Sequence, residues 1–556
     1  MSERANGPRT GGQILVDQLL VQGADTAFCV PGESYLAVLD ALHDVGDRIR
    51  LINARHEAGA ANMAEAYGKL TGRPGLCFVT RGPGACHAAV GVHTAFQDST
   101  PMILFVGQVG RDVRDREAFQ EVDYRAMFGP LAKWVAEIDS VERIPEYLAR
   151  AYRTAMSGRP GPVVLSLPED MLTESADGPD APAVEAVEAA AAPGDLVRIR
   201  AILAEAKRPM MIVGGSGWSD EAARDITAFA EANGLPAACS FRRQDVVSSR
   251  SECFIGAFGT SVSPSLVRRM AEVDVLLVIG ARLGDMTTKA YTTIHAPTPA
   301  ARVIHVHPSP DEIGRVYQPE LGLCTTPRRI AAVLADARWF EPAQWANWRG
   351  SLREEFLADR VPEGEAGPLD LGAAFAELRE RLPDDAIITL DAGNHTGWPQ
   401  RYLDFGRPGR QLGSTAGAMG YAVPAAVAAA LRHPGQTVIG CVGDGGFQMS
   451  GMELATATQY GAKPIIVVFN NGTYGTIRMH QEREYPERVV GTDLINPDFC
   501  GLAAAMGCHA ERVTTTEEFL PAFERASASG RAVLIELATD PERISTRGTI
   551  AKLRNR

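Results

Sequence analysis

At 556 residues the chain is too long for one hydrophobic core, so two to four domains are expected. Its composition, 45% hydrophobic and 22% charged, is ordinary for a soluble globular protein. A formal net charge of −13 argues against nucleic acid or an anionic membrane as a partner. No apolar run reaches the roughly 18–20 residues of a membrane span, and residues 1–12 lack the apolar core of a secretory leader. The nine cysteines include no CxxC pair; scattered thiols suit a reducing compartment, so a cytoplasmic protein is expected.

Strand and helix signals alternate in three blocks. In the first, apolar strands are predicted at 27–30, 51–53, 76–80, 102–106 and 163–166, with amphipathic helices between them. Residues 173–196 turn Ala-, Pro- and acid-rich and read as a linker. The second block has strands at 210–213, 275–279 and 303–306, followed by a Pro- and Gly-rich break at 361–368. The last has strands at 387–390, 438–442, 465–469 and 533–537. This alternation predicts an α/β protein of three doubly wound, mostly parallel sheets, with domains at 1–175, 195–345 and 368–556. In the middle block Gly214-Gly215-Ser216-Gly217 is not GxGxxG, and no ribose-binding acid follows at the usual spacing. A nicotinamide dehydrogenase is therefore disfavoured.

The chemistry concentrates in the last block. Gly443-Asp444-Gly445 closes one strand, Asn470-Asn471 closes the next, and residues 449–463 are predicted as the helix between. A right-handed crossover puts Asp444 and Asn471 on the same rim of the sheet. One carboxylate and one amide oxygen suit Mg²⁺, which takes few protein ligands and fills its octahedron with phosphate oxygens and water. The glycines let the backbone approach those phosphates. In the first block, Arg55-His56-Glu57 follows a strand and opens a helix rich in Ala and Gly. His56-Glu57 is not half of a metalloprotease HExxH, because residue 60 is alanine.

These motifs, with the three-block layout, resemble those of thiamine-diphosphate-dependent enzymes, and nearly the whole chain is similar to the acetolactate (acetohydroxyacid) synthase group of 2-oxoacid decarboxylases and carboligases. The resemblance implies pyrimidine-binding, central and diphosphate-binding domains in that order. It makes Asp444, Asn471 and the carbonyl of Thr473 the Mg²⁺ ligands. Glu57 becomes the cofactor-activating glutamate, which hydrogen-bonds a pyrimidine nitrogen while protonated and so needs an apolar site that keeps it neutral. Gly82-Pro83-Gly84 matches a turn near the pyrimidine, and Phe119-Gln120-Glu121 a segment that sends Gln120 into the active site. In Gly417-Ala418-Met419-Gly420 the Gly417 carbonyl would meet the pyrimidine amino group and Met419 would wedge the cofactor into its bend. Gly393, Asn394 and His395 would touch the diphosphate, as would Gly443, Gly445 and Gly446.

The implied activity is formation of an enamine from a small 2-oxoacid, passed to an aldehyde or oxoacid acceptor. Simple 2-oxoacid decarboxylation and hydroxyketone cleavage of the benzaldehyde-lyase type are the enzymatic alternatives; a non-catalytic binding relative is disfavoured by intact Glu57, Asp444 and Asn471. In the family the cofactor spans two subunits, so a homodimer or a dimer of dimers (a homotetramer) is expected. Four polar residues depart from the synthase pattern or flank a departure, and they define a candidate substrate pocket: Glu33, Arg81, Arg478 and His480. Two arginines there would suit a carboxylate substrate. The acids of the family's flavin site are missing from Val306-His307-Pro308-Ser309, which argues against FAD.

Overall fold

The computed structural model describes residues 7–364 and 367–555. Residues 1–6, residues 365–366 of the predicted break and residue 556 lie outside the described residues. The fold contains three six-stranded sheets, and every strand pair within them is parallel. The doubly wound α/β expectation is borne out. Central strands are runs of Val, Ile, Leu and Phe buried along their length, as expected where helices cover both faces.

In the first sheet the strands are Thr26–Cys29 (β1), Arg50–Asn53 (β2), Gly75–Val79 (β3), Met102–Gln108 (β4), Trp134–Glu137 (β5) and Pro162–Pro168 (β6). Their spatial order is β2-β1-β3-β4-β6-β5. The second sheet comprises Pro209–Val213 (β7), Ala237–Cys239 (β8), Phe254–Ala257 (β9), Val275–Ile279 (β10), Arg302–His307 (β11) and Leu321–Cys324 (β12), in the order β9-β8-β7-β10-β11-β12. The third has Ile387–Leu390 (β13), Gln411–Gly413 (β14), Val438–Gly443 (β15), Ile465–Asn470 (β16), His509–Val513 (β17) and Val533–Ala538 (β18). Its order, β14-β13-β15-β16-β18-β17, repeats that of the first sheet. In each sheet the winding reverses between β1 and β3, β7 and β10, or β13 and β15, and in the first and third sheets the last strand also steps back inside the one before it. Open α/β sheets bind ligands in the crevice beyond the strand ends at that reversal.

The contacts divide the chain into two compact units. One is Met1–Val187 with Val427–Arg432 and Ser450–Ala462; the other comprises Glu188–Ala426, His433–Met449 and Lys463–Arg556. No helix among the described residues is long and apolar enough to cross a membrane.

Two expectations need correction. The stretch read as a linker at 173–196 is ordered at both ends. Ser175–Ala176 pairs antiparallel with Arg9–Thr10, and a helix begins at Pro193. Between them, the buried amides of Gln18 and Gln22 hold the backbone: Gln18 bonds Ala181 at both its N–H and C=O, and Gln22 reaches Pro182 and Val184. Those side-chain bonds replace the ladder that the composition could not promise. The helix predicted at 449–463 is two helices, Asp444–Ser450 and Glu453–Tyr460, interrupted at Gly451-Met452. The first turn thus begins at Asp444 itself.

Candidate active site

In the second unit, a pocket opens at the β13/β15 reversal. It gathers the candidates Gly393, Asn394 and His395 after β13, with Gly417 and Met419 from the following loop. Gly443, Asp444, Gly445 and Gly446 enter from β15, and Asn471 and Thr473 from the end of β16. The carboxylate of Asp444 is buried, which pushes its pKa up. Hydrogen bonds oppose that shift: Asn496 Nδ2 and the Gly472 N–H donate to Oδ2, each at 2.8 Å, and the Gly445 N–H donates to Oδ1 at 2.9 Å. A buried carboxylate held by donors, with no cationic partner among the described residues, gains most from a divalent metal.

The Asn471 side-chain oxygen accepts the Thr473 N–H at 3.2 Å, while the Thr473 hydroxyl is tied to the Thr492 carbonyl at 2.9 Å. Residues 492–496 therefore brace the loop that presents Asn471 and the Thr473 carbonyl. Their signal in the sequence was weak, since Asn496 lies 52 residues beyond Asp444 with no strand to announce it.

Asp391, at the end of β13, builds the other wall. Its two oxygens accept the N–H groups of Ala392, Gly420 and Ala422, fixing the turn that carries Met419. Burial pushes the Asp391 carboxyl up to about 6. Gly417 has φ +70° with open space around it, a left-handed conformation that favours glycine. Met419 is 37% exposed at the pocket wall. The Asn394 side chain is spent on the protein, donating to the Ile544 carbonyl at 3.1 Å and to the Met479 sulfur. His395 is half-buried beside Phe469, and desolvation of the ring followed by the charge of Arg242 lowers its pKa to about 3, so the ring is neutral. Its Nε2 has no hydrogen-bond partner. An orphaned ring nitrogen, glycines open to the cavity and a donor set of carboxylate, amide and carbonyl oxygen fit a metal-bridged diphosphate.

The first unit presents a separate cluster at the β1/β3 reversal. Helix Glu57–Thr71 (α1) starts at Glu57, with His56 as N-cap: its Nδ1 accepts the Ala58 N–H at 3.1 Å. The chain here is fastened by Glu453, whose carboxylate accepts the N–H groups of Arg55 and His56 and the Thr456 hydroxyl. A Cβ on Gly59 would stand 2.2 Å from Glu453 Oε1, so the glycine makes this approach possible. Glu57 Oε2 lies 2.9 Å from Nδ1 of His87, on helix Pro83–Asp98 (α2), which follows β3 and sets His87 beside the start of α1.

Gly82, the N-cap of α2, packs on Gln120; a Cβ there would meet the Gln120 carbonyl oxygen at 2.8 Å. Gln120 has φ +66°, and its Oε1 is buried without a hydrogen-bond partner among the described residues. Arg81 is buried and spent. Its guanidinium contacts Glu33 at 3.4 Å and Glu169 at 3.3 Å, and donates to the Phe119 carbonyl at 3.1 Å. The expected free arginine for a substrate carboxylate is thus already matched by two acids, and Glu169 is the partner that sequence reasoning missed. Arg478 and His480 lie in the second unit on helix Gly475–Glu484 (α3) but do not line its pocket. Arg478 faces Glu482 and Asp493 at 3.8 and 3.6 Å, and exposed His480 bonds Arg483.

At the β7/β10 reversal of the second sheet, Trp218 Nε1 caps the Gly214 carbonyl at 2.8 Å. Arg282 pairs with the buried Glu312 at 3.3 Å, and Glu312 also meets Arg315 at 3.1 Å. Where acids were sought after β11 stand His307 and Ser309, bonded to each other.

Comparison with known proteins agrees with this layout. Residues 9–127 match the family described as thiamine pyrophosphate enzyme, N-terminal TPP binding domain; residues 196–334 match its central domain and residues 391–537 its C-terminal TPP binding domain. The acetolactate synthase large subunit of Corynebacterium glutamicum is 33% identical over 549 residues, covering 95% of this chain and 86% of that protein. The acetolactate synthase isozyme 2 large subunit of Escherichia coli is 32% identical, covering 95% of each chain. A probable acetolactate synthase large subunit of Methanocaldococcus jannaschii is 29% identical over 96% of this chain and 92% of its own length. The chain belongs to the thiamine pyrophosphate enzymes, within the group of acetolactate synthase large subunits.

Proposed function

We propose that the chain is a thiamine-diphosphate- and Mg²⁺-dependent carboligase that takes a small 2-oxoacid such as pyruvate as donor. The observation that carries this reading is the pocket at the β13/β15 reversal, where buried Asp444, Asn471, the Thr473 loop and the orphaned Nε2 of His395 converge. Asp444, Asn471 and the Thr473 carbonyl would hold the metal. His395 would turn its unpartnered Nε2 toward the diphosphate, and the backbone of Gly443, Gly445 and Gly446 would let the phosphates approach. The Gly417 carbonyl would accept from the pyrimidine amino group, and Met419 would support the ring system from below. Asn394 would act by bracing this wall.

The chemistry supplied by bound thiamine diphosphate is storage of an electron pair at carbon during loss of CO₂ from a 2-oxoacid. Glu57 holds the proton that this chemistry needs, at a carboxyl oxygen. Gln120 would offer its unpartnered amide oxygen to a substrate hydroxyl. Arg81, neutralised by Glu33 and Glu169, sets a pocket wall and is not a free anchor for a second carboxylate. This reading implies a homodimer or a dimer of dimers in which two copies complete each site. Internal pairing of Arg282 with Glu312 supports a central domain without FAD. Cysteines that form no disulfide among the described residues support a cytoplasmic location.

The test is CO₂ release from a panel of 2-oxoacids with saturating cofactor and Mg²⁺, with products identified by mass. Acetolactate or an acyloin is expected; no turnover on any donor would refute the reading, and aldehyde alone would move it to simple decarboxylation. Glu57→Gln is expected to abolish turnover while leaving cofactor affinity within about threefold.

A further inference from the structure

Glu57 and His87 form a pair whose exposures differ. The Glu57 side chain is 13% exposed and that of His87 52%, with Oε2 and Nδ1 separated by 2.9 Å. The His87 ring stacks on His56 at 4.5 Å. His56 is committed elsewhere, since its Nδ1 accepts the Ala58 N–H and its ring hydrogen therefore sits on Nε2. Glu453 is turned to the backbone of Arg55 and His56, and the buried Tyr35 hydroxyl donates to the Val30 carbonyl. Cys77, also buried, lies within electrostatic reach of Glu57. Of these groups, His87 alone joins the Glu57 carboxyl to a solvent-facing ring.

A carboxyl that gives and regains a proton in each catalytic cycle needs a route to water. An apolar wall would keep Glu57 neutral but would slow that exchange. We propose that His87 is a positioning and proton-relay residue for Glu57, resting on the reading of Glu57 as the cofactor-activating group. In the outward step the Glu57 Oε2–H bond breaks and its proton bonds His87 Nδ1, while the Nε2–H bond breaks and that proton passes to water. The imidazole remains neutral, as the other tautomer, and Glu57 is left as carboxylate. The reverse sequence reloads the carboxyl, so no proton or electron is gained or lost by the pair. Nδ1 thus accepts from protonated Glu57 and donates to ionised Glu57, and one geometry serves both states.

The experiment measures exchange of the cofactor's reactive carbon-bound hydrogen for deuterium in the Mg²⁺-loaded holoenzyme without substrate. His87→Ala and His87→Asn, each checked for a wild-type melting curve, are compared with Glu57→Gln. Asn can still donate to Glu57 but cannot relay. Both His87 variants are expected to slow exchange about 10²-fold, with added imidazole restoring His87→Ala in a saturable manner. Wild-type exchange in His87→Asn, or no rescue of His87→Ala by imidazole, overturns the relay. Slow exchange in Glu57→Gln beside wild-type exchange in both His87 variants removes this inference alone. Wild-type exchange in Glu57→Gln removes the reading of Glu57 and the relay with it. In the cofactor-free protein, the ¹⁵N shift of His87 Nδ1 is expected to move on Glu57→Gln, and no movement would show that the pair is not coupled.

Discussion

Replacing Asn496 by Ala tests the metal-binding reading without touching a metal ligand. Its amide donates one hydrogen to Asp444 Oδ2 and one to Asn470 Oδ1, both at 2.8 Å. After truncation no oxygen is orphaned, because the Gly472 N–H still reaches Asp444 Oδ2 at 2.8 Å and Asn470 Oδ1 at 3.3 Å. Gln448 Nε2 also loses its acceptor, Asn496 Oδ1, but that amide is exposed and water replaces it, so the loss is mainly that of the bonds themselves. A hydrogen bond to a charged group contributes about 1.5–3 kcal/mol, equivalent to roughly 10- to 100-fold in affinity. The same range is typical when a residue that orients a metal ligand is removed. The assay is a Mg²⁺ titration of thiamine diphosphate binding, followed by the fluorescence of Trp398, which lines the pocket. Half-saturation is expected to rise at least tenfold, with a modest drop in melting temperature. An unchanged Mg²⁺ requirement in a destabilised variant would mean that Asn496 only braces the loop and that Asp444 does not anchor the metal.

Asp391 gives a pH dependence with a defined sign. The unfolded carboxyl ionises near 3.8 and the folded one at about 6, so stability conferred by the protonated group is complete below about pH 3.8 and is lost as pH rises to about 6. At about 1.4 kcal/mol per unit this amounts to about 3 kcal/mol. Urea denaturation of cofactor-free protein between pH 4 and 7 is expected to show that decline relative to Asp391→Asn; parallel curves would refute it. Gly445→Ala places a Cβ 2.5 Å from Cε1 of Tyr474. The clash should cost about 1–3 kcal/mol and weaken cofactor binding. A second change, Tyr474→Ala, should restore the melting temperature if the clash is the cause. Finally, mixing inactive Glu57→Gln and Asp444→Asn chains should recover up to about a quarter of the wild-type sites if two subunits complete each one. No recovery after verified subunit exchange would confine the site to one chain.

What escaped the sequence follows a pattern. Strands Trp134–Glu137, Phe254–Ala257, Leu321–Cys324, Gln411–Gly413 and His509–Val513 were missed, and all of them lie at sheet edges. An edge strand is paired on one side and need not be apolar along its length; Leu321–Cys324 alternates buried and exposed residues. Ala237–Cys239 is internal but only three residues long. Central strands were legible because burial on both faces demands an uninterrupted apolar run. The order within the linker stayed hidden for the opposite reason: it comes from Gln18 and Gln22, more than 150 residues away in sequence.

The site divides in the same way. Asp444 and Asn471 could be placed from sequence alone, because each terminates a central strand and a right-handed crossover leaves one choice of rim. The departures at Glu33, Arg81 and the flavin segment were visible as residue types. Their consequences were not, since charge is decided by partners: Glu169 reaches Arg81 from 88 residues away and Glu312 reaches Arg282 from 30. Glu57 shows the division most plainly. Its position at the start of a helix was written in the local sequence. Tertiary packing alone brought Glu453 to the backbone of Arg55, 398 residues away, just ahead of that helix, and His87 against the Glu57 carboxyl. Local pattern is set by burial of nearby residues, whereas the protonation and reach of an active-site group depend on side chains that meet only when sheets and helices close around it.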